Sequence, residues 1–527
     1  MPSRLAAGRR AGLMIPLFSF PSRQSWGLGE IGDIAPMAAW LASAGQDVLQ
    51  LLPLNEMAPG QQSPYSAISA MAIDPLYITI SHVEEVARAG GDAALSAPRR
   101  QRLNAIRAAD LDYRRVRELK DEVLRAAFDR FLADEWRRHT RRAEELRVFL
   151  AEQAWWLEDY AVFRALHAEA GEQPWTCWPG PLQRREPGAV LEARTRLADE
   201  ILYRQYLQWV ADTQWRDARR SAEPVELIGD LPFVVDVDSA DVWARQEEFR
   251  LDAAVGVPPD AFSAEGQDWG LPLYRWDVLA RTDFRWLRER ARRNAQLYAG
   301  FRIDHLVGFY RTYARPRDGS PAFFSPAAEP DQTKLGEAVI TIFRQSGAHV
   351  LAEDLGLVPD FVRASLARMA VPGYRVLRWE RDWHAAGQPF RDPARYPAVS
   401  LATSGTHDTE PMAVWWEKAT ADERRAVMEI PKVREVLRER RDAATSAYTD
   451  DVRDALLEAL FAAGSDLLVL PVGDVFGWCD RINEPGTVGS RNWTYRLPWP
   501  SDELDRQPEA VACRDRLRAW SERYQRG

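Results

Sequence analysis

Three apolar runs end in carboxylates, and this repetition constrains the fold more than any other feature of the chain. Residues Gly300 to His305 read GFRIDH, His349 to Gly356 read HVLAEDLG, and Ala398 to Asp408 read AVSLATSGTHD. Each begins as a strand buried on both faces and finishes in charged side chains. In a barrel of parallel strands, the carboxyl ends open onto the active face. Asp304, Glu353 and Asp408 are separated by 49 and 55 residues, room for one or two strand–helix units each time. Arg302 and Asp304 are two apart, so on a strand they project to one side, and the cation favours an ionised carboxylate of the kind a nucleophile needs. Taken singly, such a pair is explained as the cap of a strand end. Three carboxylates, each just past an apolar run, favour a site.

The rest of the chain fits one large barrel with insertions. Its 527 residues exceed an ordinary single domain. Residues 1–81 read as the first part of the barrel and 224–527 as the remainder with the active-site loops. Residues 82–223 are rich in Ala, Arg and Glu, with apolar residues at helical spacing, and read as a helical subdomain whose core includes Trp155, Trp156, Trp175 and Trp178. A helix is expected from Ile34 to Ala44, stopped by Gly45, and buried strands over 47–54, 225–235 and 466–472. The segment from Gly256 to Gly270 reads as a long irregular loop of the functional kind.

A formal net charge of −9 and a pI near 5.6 disfavour nucleic acid and anionic membrane surfaces but not a neutral sugar. The three cysteines match no metal spacing and suit a reduced, cytoplasmic interior. The basic start with Leu13 to Phe20 lacks a convincing cleavage site for a signal peptide, and no run of about 18 apolar residues could span a membrane. No metal is expected, because His305, His407 and the carboxylates follow no ligand spacing.

Many short pieces, in order, resemble the amylomaltases, or 4-alpha-glucanotransferases. They include Leu52-Pro53-Leu54, Ser63-Pro64-Tyr65, Ile228-Gly229-Asp230-Leu231-Pro232, Asp238-Ser239-Ala240-Asp241-Val242-Trp243 and Gly256-Val257-Pro258-Pro259-Asp260. Gly266-Gln267-Asp268-Trp269-Gly270, Pro272-Leu273-Tyr274-Arg275-Trp276-Asp277, the three carboxylate runs and Asn483-Glu484-Pro485-Gly486-Thr487 complete the series. The similarity runs from about Gly12 to Arg496 and implies a TIM (β/α)8 barrel with long, largely helical insertions and no C-terminal β-sandwich. It implies transfer of alpha-1,4-glucan segments between malto-oligosaccharides, starch or glycogen-derived glucans, without a cofactor.

By the same resemblance, Asp304 is the nucleophile and Glu353 the acid/base. Asp354 helps to raise the pKa of Glu353 if its side chain is near. Asp408 stabilises the transition state. Ser63, Tyr65, Gln267, Trp269, His305, His407 and Asn483 are sugar contacts. Arg302, beside the nucleophile, is also assigned to substrate binding, and Asp230 either binds sugar hydroxyls or holds Arg302. A hydrolase of the same fold and a non-catalytic glucan-binding barrel are the alternatives; an intact trio of carboxylates argues against the latter. The chain departs from the common pattern at Val307 (Arg), Leu271 (Asn) and Thr409 (Asn), all near the cleft.

Overall fold

Eight short strands close into a barrel because each is buried on both sides and none can serve as an exposed edge. The computed structural model describes residues 8–259, 266–438, 447–487 and 489–527. The barrel strands are β1 (Arg10–Met14), β2 (Val48–Gln50), β3 (Glu226–Leu231), β6 (Gly300–Ile303), β9 (His349–Ala352), β10 (Gly373–Val376), β11 (Ser400–Thr403) and β12 (Leu467–Pro471). They neighbour one another in chain order, and β12 returns to β1 to close the ring. Every pairing around the ring is parallel. Among the described residues no strand follows β12; the chain ends in the helix Pro508–Tyr524.

Long connections interrupt this frame. Between β2 and β3 an irregular stretch is followed by a largely helical one from Glu84 to Ala222, with its longest elements at Tyr113–Phe131, Arg141–Glu169 and Ala198–Ala222. The last of these packs against the helix Ile34–Ser43 and against β3, so it lies in the layer around the barrel. Trp156, Trp175 and Trp178 are buried there, while Trp155 is partly covered. The segments following β3 and β6 build a second, antiparallel sheet in the order β5 (Gln267–Tyr274), β4 (Phe249–Val257), β7 (Thr312–Pro316), β8 (Phe323–Ser325).

This sheet corrects the expectation of an irregular segment from Gly256 to Gly270. Gly256 and Val257 close one strand of a hairpin and Gln267 opens the other; residues 260–265 lie outside the described ones. The glycines and prolines masked the strand signal, and the register shifts along β4 and β5 break the alternation that would have revealed it. Elsewhere the strands are shorter than the apolar runs: β2 keeps only Val48–Gln50, although residues 51–54 remain buried.

The upper barrel interior is polar. Gln50 Nε2 donates to Tyr374 Oη at 3.1 Å across the ring, next to buried Asp230 and Arg302. At Gly229 an added Cβ would come within 2.3 Å of the Tyr298 ring, so a side chain there would push β3 off its neighbour.

Candidate active site

Strand register explains why the carboxylates meet. Ile303 pairs with Ala352, so the next residues, Asp304 and Glu353, leave adjacent strands at the same height. Glu353 N donates to Ile303 O at 3.1 Å and Asp304 N to Leu231 O at 3.0 Å, continuing the ladder to the strand ends. Adjacent strands lie about 4.8 Å apart, which places the two backbones side by side. One strand earlier, Asp230 pairs with Arg302. Arg302 therefore sits between two carboxylates: Nη1 reaches Asp230 Oδ2 at 2.6 Å and Nη2 reaches Asp304 Oδ1 at 2.8 Å.

Of the two roles open to Asp230, the geometry supports holding Arg302. Asp230 is 1% exposed, and its Oδ2 also accepts from Tyr65 Oη at 2.7 Å. Burial raises the Asp230 pKa against the pull of Arg302. Ser63 Oγ accepts from Tyr65 N at 3.3 Å, which fixes the turn that brings the tyrosine ring inward.

That ring stacks on His407 at 5.3 Å between centroids. His407 Nε2 lies 3.3 Å from Asp408 Oδ2, and Asn483 Nδ2 donates to Asp408 Oδ1 at 2.6 Å. These partners hold the Asp408 pKa well below the usual carboxylate range, overcoming the effect of its burial. The His407 pKa is raised although burial works the other way, because Asp408 faces it.

On the opposite side, His305 takes a left-handed backbone with φ +43°, uncommon outside glycine. This shape aims its N–H at Glu353 Oε2, 2.9 Å away. Burial pushes the His305 pKa down to about 4, so its ring is neutral at physiological pH. Trp269 meets that ring edge-on at 4.7 Å, and Trp269 Nε1 donates to Gln267 Oε1 at 3.1 Å. Gln267 and Trp269 are half-buried at the start of β5, not on a free loop.

Glu353 is the group whose acidity departs most usefully. Its pKa rises to about 7, chiefly through burial, with Arg302 opposing and Asp304 and Asp354 adding to the rise. Asp354 contributes less than Asp304; its carboxylate turns away to accept from Tyr374 N at 2.7 Å.

All the residues singled out in the sequence thus form one connected set, from Ser63 and Tyr65 through Asp230, Arg302 and Asp304 to Glu353, and through His407 to Asp408 and Asn483. Three more residues join it. Arg481 donates to Asp408 O and to Asn483 O, both at 2.6 Å. Trp493 lies 5.8 Å from both the Tyr65 and His407 rings. Tyr374 lines the interior below. Arg481 and Trp493 sit in irregular chain, where no periodicity marks them; their nearness to the Asn483 turn was the one available signal. Of the departures, Thr409 closes its own turn, accepting from Thr406 N and donating to Thr406 O, both at 3.0 Å. Leu271 packs on the core in β5, and Val307 opens a short helix after the site.

Comparison with known proteins identifies the family. A family model described as 4-alpha-glucanotransferase matches residues 15–502. The 4-alpha-glucanotransferase of Thermus thermophilus is 34% identical over 532 residues, covering 98% of this chain and 99% of that protein. The protein of the same name from Chlamydia pneumoniae is 29% identical over 511 residues, covering 94% and 92%. The structure of Streptococcus agalactiae amylomaltase in complex with acarbose superposes with a TM-score of 0.82 at 27% identity, covering 98% of this chain and all of that one. With a family model that matches residues 15–502 and a relative 34% identical over nearly the whole length, this chain belongs to the 4-alpha-glucanotransferase family.

Proposed function

We propose that the chain transfers alpha-1,4-glucan segments with retention, through a glycosyl-enzyme on Asp304. The observation that carries this reading is the register of β6 and β9, which sets Asp304 beside a Glu353 whose pKa is raised to about 7. Retaining chemistry needs two carboxyl groups about 5–5.5 Å apart, one ionised and one protonated. Asp304, oriented by Arg302, attacks the anomeric carbon; the bond to the leaving oxygen breaks as Glu353 gives that oxygen its proton. Glu353 then takes the proton of an acceptor 4-hydroxyl, whose oxygen displaces Asp304. Asp408, fixed by Asn483 and His407, accepts hydrogen bonds from ring hydroxyls as positive charge builds on the sugar. His305 and His407 contact the same ring, with Tyr65 beside it; Gln267 and Trp269 receive the acceptor.

The substrates in this reading are malto-oligosaccharides and starch- or glycogen-derived glucans. We place the enzyme in the cytoplasm. Cys177, Cys479 and Cys513 are unpaired, as in a reducing compartment. Among the described residues no helix is long and apolar enough to cross a membrane.

The test is to trap the intermediate with a fluorinated maltosyl donor and digest the protein. The adduct is expected on the peptide carrying Asp304, and Asp304→Asn should fold normally yet lose several orders of magnitude in rate. An adduct elsewhere, or near-normal turnover by the Asn variant, would refute the assignment.

A further inference from the structure

A cavity of about 1070 Å³ opens beside the site just described, sharing Asp354 and Tyr374 with it and running between the helix Asp360–Arg368 and the segment 379–397. It is at or above the upper end of the roughly 300–1,000 Å³ typical of small-molecule sites, so it suits an oligomer better than a single sugar. Its lining includes Leu357, Trp379 and Trp383, which are 63%, 41% and 52% exposed. Large apolar side chains gathered in one open cleft mark a binding surface more than a folding need.

The cleft is built, not slack. Arg381 pairs with Phe390 in a backbone bridge, and Asp382 N donates to Pro389 O at 2.9 Å, which ties the ends of the projecting hairpin. The Arg381 guanidinium lies 5.3 Å from the Trp383 ring centre and 4.4 Å from that of Phe390. It is itself held by Glu423 at 3.1 Å and Gln388 O at 2.9 Å. Trp383 is therefore presented from a fixed base with half its surface in water.

The lining chemistry bears on the occupant. The indoles of Trp379 and Trp383 share the wall with the carboxylates of Glu380 and Asp392 and with arginines that include Arg363 and Arg391. A hexose offers C–H faces to the rings, and its hydroxyls both donate to carboxylates and accept from guanidinium groups, so it can use both signs of charge in the lining. The cleft is also continuous with the catalytic end of the barrel. Leu355 forms part of its wall, and Leu355 N donates to Glu353 Oε1 at 3.2 Å.

We propose that this cleft is a second binding site for long alpha-glucans, holding a stretch of polymer whose other part lies in the active site, with Trp383 as a stacking platform. The inference rests on the glucan-transfer reading. The cleft confers preference for chain length: short substrates use the catalytic site alone, and long ones gain affinity from both.

The experiment compares KM for amylose and for maltotriose in the wild type, Trp383→Ala and Trp383→Phe. Losing one ring stack should raise the amylose KM about tenfold in the Ala variant. Its maltotriose KM and both kcat values should stay within about twofold, and Phe should restore most of the amylose affinity. If the Ala variant leaves the amylose KM unchanged, or raises both KM values together, the proposal is overturned while glucan transfer stands. If the wild type elongates neither substrate, the transfer reading itself fails, and the cleft proposal with it.

Discussion

The backbone N–H of His305 donates to Glu353 Oε2 at 2.9 Å, so the residue after Asp304 positions the carboxyl group on the next strand. The bond exists because His305 adopts a left-handed backbone, a costly shape that the surrounding barrel imposes. It couples the proposed nucleophile and acid through one peptide unit, so a shift of β6 against β9 disturbs both.

The raised pKa of Glu353 sets the pH dependence. A carboxyl whose pKa rises from 4.5 to about 7 is protonated below that value and loses its proton as pH rises through it. Formation of the glycosyl-enzyme should therefore fall along a limb near pH 7, read as kcat/KM against pH. Stability follows the same sign. The native state binds this proton more tightly than the unfolded chain, so the group favours folding least above pH 7. Glu353→Gln should raise Tm more at about pH 8 than at about pH 5, while abolishing transfer to ordinary glucans. An unchanged basic limb in a variant with residual activity would assign it to another group.

Asn483 is expected to act through Asp408. Its 2.6 Å hydrogen bond reaches an ionised carboxylate, the strong class of such bonds. Asn483→Ala should lower kcat by about 10- to 100-fold with a smaller change in KM. It should also let the Asp408 pKa rise, because one of the groups holding it down is gone.

How much of this was legible in the sequence depends on what each residue obeys. Asp304, Glu353 and Asp408 follow apolar strands directly, so period and position reveal them. The Arg302–Asp304 pair follows from a spacing of two. Asp230 was ambiguous because its partner lies on another strand, and only the register of β3 against β6 places it opposite Arg302. The β4–β5 hairpin was hidden by glycine and proline within strands of broken register. Arg481 and Trp493 stayed hidden because irregular chain carries no period. The cleft around Trp383 joins β9, β10 and a projecting hairpin, a juxtaposition that local pattern does not encode.

Trp269 bears on the choice between sugar and water. Its ring meets His305 in a T-shaped contact at 4.7 Å and is only half-buried, so part of it remains open to an acceptor. Trp269→Ala should lower the yield of longer glucans more than it lowers glucose release, at fixed maltotriose. A wild-type ratio in the variant would show that the ring anchors β5 and nothing more.

No divalent ion is expected to be needed. Proton transfer, nucleophilic attack and charge stabilisation all have side chains in the proposed mechanism, and no group of His, Cys, Asp and Glu among the described residues is arranged to hold a metal. Dialysis against a chelator should leave transfer unchanged. Loss of activity, recovered with one particular divalent ion, would require the mechanism to be redrawn.

The most direct measurement is the product distribution from maltotriose alone. The wild-type protein, incubated with maltotriose and resolved by size, should yield glucose together with a ladder of glucans longer than the substrate, formed by resynthesis of alpha-1,4 bonds. Glucose and maltose without any longer product would mean that water, not sugar, takes the glucosyl group from Asp304, and would contradict the account.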